Sequence, residues 1–170
     1  MLALPKGKVF LVQWDKEWEN EYTLEKNKIM ELIGSYMISC HHIGSTAVKE
    51  LSSKPIIDIA IELINYDDGF KCIDSLSTIG YKHRIIKELP ERHYFSKGEP
   101  RTHQIHMYQK GNIYLKKQII FRNCLIEDNE LRDKYQKIKE KYATEYSMDK
   151  LAYADAKTEF INNVLEKYGI

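Results

Sequence analysis

No long hydrophobic run and no surplus of either charge occurs in the 170 residues. A helix that crosses a bilayer needs ~18–20 apolar residues in succession, so no membrane span is expected. The 26 basic and 25 acidic residues leave a formal net charge of +1. A dedicated nucleic-acid binder carries a basic excess or patch; nucleic acid is therefore not the expected partner. A small anionic ligand, which needs only a few local donors, is compatible with this balance. Cysteine is scarce and odd in number: Cys40, Cys72 and Cys124 stand far apart with no C-x-x-C. Three reduced thiols in or near a core are the expectation. The start, Met1-Leu-Ala-Leu-Pro-Lys, lacks the apolar stretch and small-residue cleavage site of a secretion signal. Linkers, repeats and low-complexity segments are also missing. One cytoplasmic domain over residues 1–170 is expected.

What is present reads as an ordinary globular chain, 43% hydrophobic and 30% charged, long enough to bury a core without staples. Lys8–Trp14 is β-rich and reads as a first strand or an extended arm. Asp15 precedes an apolar stripe at helical spacing (Trp18, Tyr22, Ile29, Leu32, Ile33, Tyr36) that ends near Gly34-Ser35. Met37–Ile43 reads as a strand running into Gly44-Ser45-Thr46. The clearest strand is Ile56–Ile64, because strand residues alternate faces. Ile57, Ile59, Ile61 and Leu63 share one face; Ile56, Asp58, Ala60 and Glu62 share the other. Asp67-Asp68 opens a short helix with Phe70, Ile73 and Leu76 inward and Gly80 as its stop. Tyr81–Lys87 and Arg92–Ser96 pair as strands, Lys97–Pro100 turns, and Thr102–Gln109 forms another strand. Leu115–Leu125, a helix capped by Asp128, and a last helix from Ser147 or Asp149 follow. The α/β part covers about 1–112 and a helical block about 113–170.

The chemistry-bearing pattern is Gly44-Ser45 followed, on the next strand, by Asp58. Nucleotidyl transfer needs phosphate oxygens held by backbone N–H groups at a tight turn, where glycine permits close approach. It also needs a divalent ion held by strand carboxylates beside that turn. Gly44, Ser45 and Thr46 can supply the first, and Asp58 the second. The alternatives are a turn without a ligand, and a carboxylate paired with a nearby Arg or His for structure, since an unpaired buried charge is costly.

The segment His42-Ile-Gly-Ser-Thr-Ala-Val, with Leu51 and Lys54-Pro-Ile-Ile-Asp-Ile after it, resembles the hallmark of the GrpB family, also called UPF0157. Arg101-Thr-His-Gln-Ile-His106 resembles that family's histidine-bearing strand. Phe121-Arg122-Asn123 resembles its Phe-Arg-Asp. The end, with Tyr153, Ala156-Lys157 and Phe160-Ile161, resembles its closing Tyr-x-x-Ala-Lys-x-x-Phe-Ile/Val. The matches run in order over almost the whole chain. The family is related to the extra domain fused to some dephospho-CoA kinases.

This resemblance implies an α/β (α+β) fold: a nucleotidyltransferase-like mixed β-sheet with flanking helices and a helical C-terminal block. It also implies that Gly-Ser…Asp is the superfamily's phosphate and metal motif. The chain departs from the superfamily in having Asp58-Ile59-Ala60, not Asp-x-Asp/Glu. Glu62 lies on the same face, but four residues of strand put its Cα ~13 Å from that of Asp58. His106, with Gln104, stands where the superfamily has a third carboxylate. The expected cofactor is a divalent metal on Asp58 and His106: Mg²⁺, or Mn²⁺ or Zn²⁺ given the histidine. Lys54, Arg92, Arg101 and Lys157 are the candidate phosphate contacts, each with solvent, or for Lys157 a snorkelling stem, as the alternative. His42 is either a ligand or a ring that hydrogen-bonds the turn backbone. Arg122 is tied to the site or to a core acid. The reading that follows is transfer of a nucleotidyl group from a nucleoside triphosphate to a small acceptor, with Asp58 catalytic. The alternative is a non-catalytic module that binds a nucleotide or a phosphorylated metabolite such as a coenzyme A precursor. A metal-dependent hydrolase acting through His and Asp is a third.

Overall fold

Alternation in one strand sets the architecture. The computed structural model describes residues 2–89 and 91–170. In β2 (Ile57–Leu63), the side chains of Ile57, Ile59, Ile61 and Leu63 are fully buried on one face. Ile105 and Met107 of β5 (His103–Gln109) and Phe95 of β4 (His93–Lys97) continue that apolar face. Trp18, Ile29 and Ile33 of α1 (Glu17–Ile33) and Leu76 of α3 (Ile73–Ser77) close over it. With β1 (Met37–Ile43) and β3 (Tyr81–Arg84), the five strands run in the order β1-β2-β5-β4-β3. Among the described residues, only β2 and β5 pair in parallel; the other pairs are antiparallel. The sheet is therefore mixed, as expected.

The second face of the sheet is different. Its β1–β2 end is covered by α4 (Ile113–Glu127), whose Leu115 and Ile119 pack on Ile43, Ala60 and Tyr108. The remaining helices are α5 (Asn129–Glu145), α6 (Lys150–Ala156) and α7 (Thr158–Glu166), with a short α2 (Asp68–Lys71) earlier in the chain. Leu125, Leu131, Tyr135, Phe160 and Ile161 pack on Val48 and Leu51, just downstream of Gly44. The helical block is thereby held against the segment between the Gly-Ser turn and Asp58.

Several local expectations are decided or corrected. Of the two readings of Lys8–Trp14, strand or extended arm, the arm is found, touching the body through isolated bridges, Val12 with Ser53 and, before it, Leu4 with Arg101. Asp15 accepts the Glu17 N–H at 3.0 Å, but the helix starts one residue later than a cap at Asp15 implies. Phe70 is exposed, because the helix breaks at Cys72 and turns that residue outward. The last helix breaks at Lys157 into α6 and α7. Cys72 and Cys124 are buried, Cys40 is partly so, and all three are free thiols. Among the described residues, no helix is long and apolar enough to cross a membrane.

Asp128 caps α5 by accepting the Leu131 N–H at 2.9 Å. Asp128→Ala is expected to lower unfolding free energy by about 1 kcal/mol. Urea denaturation checks this: the midpoint should fall with the slope unchanged, whereas an unchanged midpoint would show that the cap contributes nothing.

Candidate functional site

Pairing of Ile43 with Asp58 sets the end of β1 beside the first carboxylate of β2. Gly44 then takes φ +72° and ψ −175°, a backbone that side chains disfavour. A Cβ at this position would lie 2.9 Å from Asp58 Oδ2. Conformation and space both demand glycine, and the bend and the carboxylate are in contact. Ser45–Ala47 follow as one tight helical turn, closed by Ala47 N–H to Gly44 O and Val48 N–H to Ser45 O.

The turn is braced from behind. His42 Nε2 lies 2.9 Å from the Thr46 hydroxyl, and its ring stacks on Tyr22 at 4.7 Å. Burial pulls its pKa down to about 4, with Asp58 opposing, so the ring is neutral near pH 7. Its partner is the Thr46 side chain, not the turn backbone. Trp14 Nε1 donates to Thr46 O. Arg122 donates through Nη1 to His42 O at 2.7 Å and through Nε and Nη2 to Asn123 Oδ1. It holds the end of β1 and finds its acceptor in the asparagine, not in a core acid.

Asp58 faces His106, with Nε2 3.7 Å from Oδ1. Glu62 is committed elsewhere: it accepts from Ser39 Oγ at 3.2 Å and from the Gly111 N–H at 3.1 Å. Among the described residues, no group of three His, Cys, Asp or Glu side chains is placed to hold a metal. A divalent ion at Asp58 and His106 would need its other ligands from water and a bound phosphate. Mg²⁺ accepts that arrangement.

The cations separate into two groups. Lys54 Nζ lies 5.3 Å and Lys157 Nζ 4.0 Å from the centre of the Tyr153 ring. Burial, then the Lys54 charge, lowers Lys157 to about 7, with Asp58 opposing. Burial, then Lys54 and Arg101, lowers Lys150 to about 8, again with Asp58 opposing. Lys54 is lowered by burial with the same carboxylate opposing. Lys139 is 2% exposed, donates to Ser52 O, and is held well below the usual range by burial, Lys157 and Lys54. Among the described residues, none of these four lysines has a carboxylate within 4.0 Å. Tyr153 is fully buried and its hydroxyl has no partner there either.

Lys139 and Lys150 escape sequence reasoning. Their signals are spacing: Lys139 follows Tyr135 by one helical turn, and Lys150, Tyr153 and Lys157 fall at i, i+3 and i+7.

Arg92 and Arg101, expected beside Lys54 and Lys157, sit over β4 and β5. Arg101 Nη1 donates to Tyr94 Oη at 3.1 Å, and its charge reaches Lys54 and Lys150. Arg92 Nη1 lies 3.5 Å from His106 Nδ1, and its guanidinium lies over the Tyr108 and Tyr114 rings at 4.9 and 5.7 Å. Arg92 therefore belongs with His106, away from the lysines around Tyr153.

Comparison with known proteins shows what the chain is similar to. The family described as "GrpB protein" matches residues 8–167. The UPF0157 protein YqkA of Bacillus subtilis is 29% identical over 163 residues, covering 95% of this chain and 48% of YqkA. The glutamate-rich protein GrpB of Alkalihalophilus pseudofirmus is 27% identical over 173 residues, covering 98% of this chain and 99% of its own length. The chain thus spans about half of one relative and nearly all of the other. A crystal structure of the conserved protein GrpB from Enterococcus faecalis superposes with a TM-score of 0.86 at 26% identity, over 95% of this chain and 100% of that one. Cid1, solved in complex with its short product ApU, superposes with a TM-score of 0.52 at 11% identity, over 76% of this chain and 42% of Cid1. That likeness is one of fold, the nucleotidyltransferase type.

Proposed function

The chain belongs to the GrpB family, and on that premise we propose that it binds the triphosphate of a nucleoside triphosphate between the Gly44 turn and the lysines around Tyr153. The observation that carries this reading is the gathering of Lys54, Lys150 and Lys157 beside Asp58, with Lys139 over the Tyr135 ring feeling Lys54 and Lys157 and opposed by Glu140, none of the four with a carboxylate within 4.0 Å among the described residues. Burial first, and then the neighbouring positive charges, lower the proton affinity of all four lysines. A polyanion adds an attraction that opposes both the burial cost and the mutual repulsion of these charges. At an effective dielectric of about 20, one charge pair at 4 Å is worth ~4 kcal/mol before desolvation costs. Gly44 lets the turn fold tightly against Asp58, and a turn of this kind can offer backbone N–H groups to a phosphate oxygen.

The same charge balance bears on the metal. A lone divalent cation would meet several lysines and a single carboxylate, so binding of a free ion is weak and the ion arrives with the nucleotide. Asp58 would then hold it, where it would supply charge neutralisation on the phosphates; His106, with Arg92 at Nδ1 and Nε2 toward the carboxylate, would orient Asp58. Nucleotidyl transfer is the second reading, favoured by the contact of Asp58 with the Gly44 bend. Binding stands first because Ala60 occupies the place of a second strand carboxylate and Glu62 is tied to Ser39 and Gly111.

Isothermal calorimetry tests the reading. ATP and inorganic tripolyphosphate should both bind in the presence of EDTA, and Mg²⁺ should modify the affinity without being required. Failure of every nucleotide and polyphosphate to bind would remove the reading. Release of pyrophosphate from a nucleoside triphosphate with a small acceptor would establish transfer.

A further inference from the structure

The second face of the sheet carries a feature that triphosphate binding does not use. Strand register aligns side chains into rows across it. One row is Asp58, Gln104, Ser96 and Lys82; the next is Ala60, His106, Tyr94 and Arg84. Arg92 stacks at the end of the floor, over Tyr108. Tyr94, Ser96, Gln104 and His106 are all less than a tenth exposed, yet all are polar. The opposite face at the same strands holds Phe95, Ile105 and Met107 in the apolar core. A polar surface this well covered is covered by cations: Arg84 Nε donates to Ser96 Oγ at 3.1 Å, Arg101 to Tyr94 Oη, and Arg92 to His106 Nδ1.

Each guanidinium carries five N–H donors in a fixed fork. Here each of the three meets a neutral acceptor on the floor, and none lies within 4.0 Å of a carboxylate among the described residues. Arg92 Nε is buried with no partner among them, and a buried orphan donor costs free energy until an acceptor arrives. Tyr94 Oη donates to Gln104 Oε1 at 2.7 Å. Burial pushes the Tyr94 phenol up to about 12, while Arg101 and Arg84 oppose and Asp58 adds to it, so all three charges lie around this one ring. When Arg92 donates to Nδ1 of His106, the ring's own proton sits on Nε2, facing Asp58.

We propose that this floor, with Arg84 and Arg92 above it and Arg101 between it and the lysines, is a second anion subsite that takes the phosphate group of a phosphorylated small molecule, bordering the lysine pocket at Asp58 and Arg101. A phosphate offers three oxygens and up to two charges to guanidinium forks, more than a single carboxylate can. The inference rests on the triphosphate reading only in calling the subsite second. It gives the chemical class of the nucleotide's companion: a molecule that is itself phosphorylated. Two anions then flank one carboxylate, which keeps them apart.

The test is a ³¹P NMR titration of inorganic phosphate onto the protein, alone and saturated with ATP. The expected result is that phosphate still binds when ATP is saturating. Arg84→Gln/Arg92→Gln, which keeps amide donors toward Ser96 and His106, should weaken phosphate about tenfold or more and leave ATP affinity within about twofold. Arg84→Gln alone, at an exposed position, should show a smaller loss in the same direction without risk to folding. Displacement of phosphate by ATP from the wild-type protein, or phosphate binding unchanged in both variants, would overturn the inference and leave the lysine pocket standing. Arginine-dependent phosphate binding by a protein that ignores ATP would do the reverse: it would uphold this subsite and remove the triphosphate reading.

Discussion

Replacing Lys157 with glutamine is expected to weaken ATP by roughly 10- to 100-fold and, at neutral pH, to make the ligand-free protein more stable. The first effect is the loss of one charge-assisted contact, about 1.5–3 kcal/mol, at ~1.4 kcal/mol per decade. The second follows from linkage. Lys157 titrates at about 7 in the folded protein, far below the usual lysine value of 10.5. Between those values the unfolded chain holds a proton that the folded chain does not, so stability falls as pH drops from about 10 to 7 and levels off below. Lys157 is partly exposed, and solvent screening reduces the penalty to about 1–2 kcal/mol. Glutamine removes it. Ligand affinity runs the other way: phosphate binding favours charged lysines, so it weakens as pH rises through about 7 and 8, where Lys157 and Lys150 lose their protons. Opposite slopes of stability and affinity with pH, measured by thermal melts and calorimetry at pH 6.5 to 9, would identify the pocket as an anion site with strained lysines. An ATP affinity untouched by Lys157→Gln would remove that lysine from it.

Gly44→Ala is expected to damage stability and binding together. The backbone at φ +72° costs a non-glycine residue about 1–3 kcal/mol. Beyond that, the new methyl would press on Asp58 Oδ2 at 2.9 Å, and either the carboxylate or the turn must move. The two penalties separate in a double-mutant cycle. Asp58→Ala in the Gly44→Ala background should recover the contact part, so the double variant is less destabilised than the sum of the singles. Strict additivity, read from urea midpoints, would mean that bend and carboxylate do not touch.

Sequence reasoning located this contact because it rests on local rules. Alternation in Ile57–Leu63 fixes which face Asp58 takes, and a glycine followed by Ser45 at a strand end marks the bend. The same rules read β1 and β5 to within a residue, identify Asp128 as a helix cap and leave Ser147 or Asp149 for the next, of which Asp149 is the cap. The lysine pocket was only half legible. Lys54 and Lys157 were singled out, but α5 carries Lys134, Lys137, Lys139 and Lys141, and a lysine on a charged helix normally points to water. Only the packing of Tyr135 and Leu131 onto Val48 and Leu51 buries Lys139 against Ser52 O and leaves its neighbours outside. The break at Lys157 is a tertiary effect too: the apolar stripe of Tyr153, Phe160 and Val164 reads as one helix, while Tyr153 packs with Val9 and Phe160 with Leu51 and Tyr135. Arg101 keeps its expected place within reach of Lys54 and Lys150; Arg92 does not join them, because sequence order cannot show that β5 lies between β2 and β4. Register decides that Arg92 meets His106.

The account's central claim is that a polyphosphate lies between the Gly44 bend and the lysines around Tyr153, with Asp58 at its edge. A crystal structure with a non-hydrolysable ATP analogue tests it most directly. The predicted density places phosphate oxygens within hydrogen-bonding distance of the Lys54 and Lys157 ammonium groups, with one oxygen over the Gly44 turn. An analogue bound elsewhere, with Lys157 still resting on the Tyr153 ring and the space above Gly44 filled only by water, would contradict it.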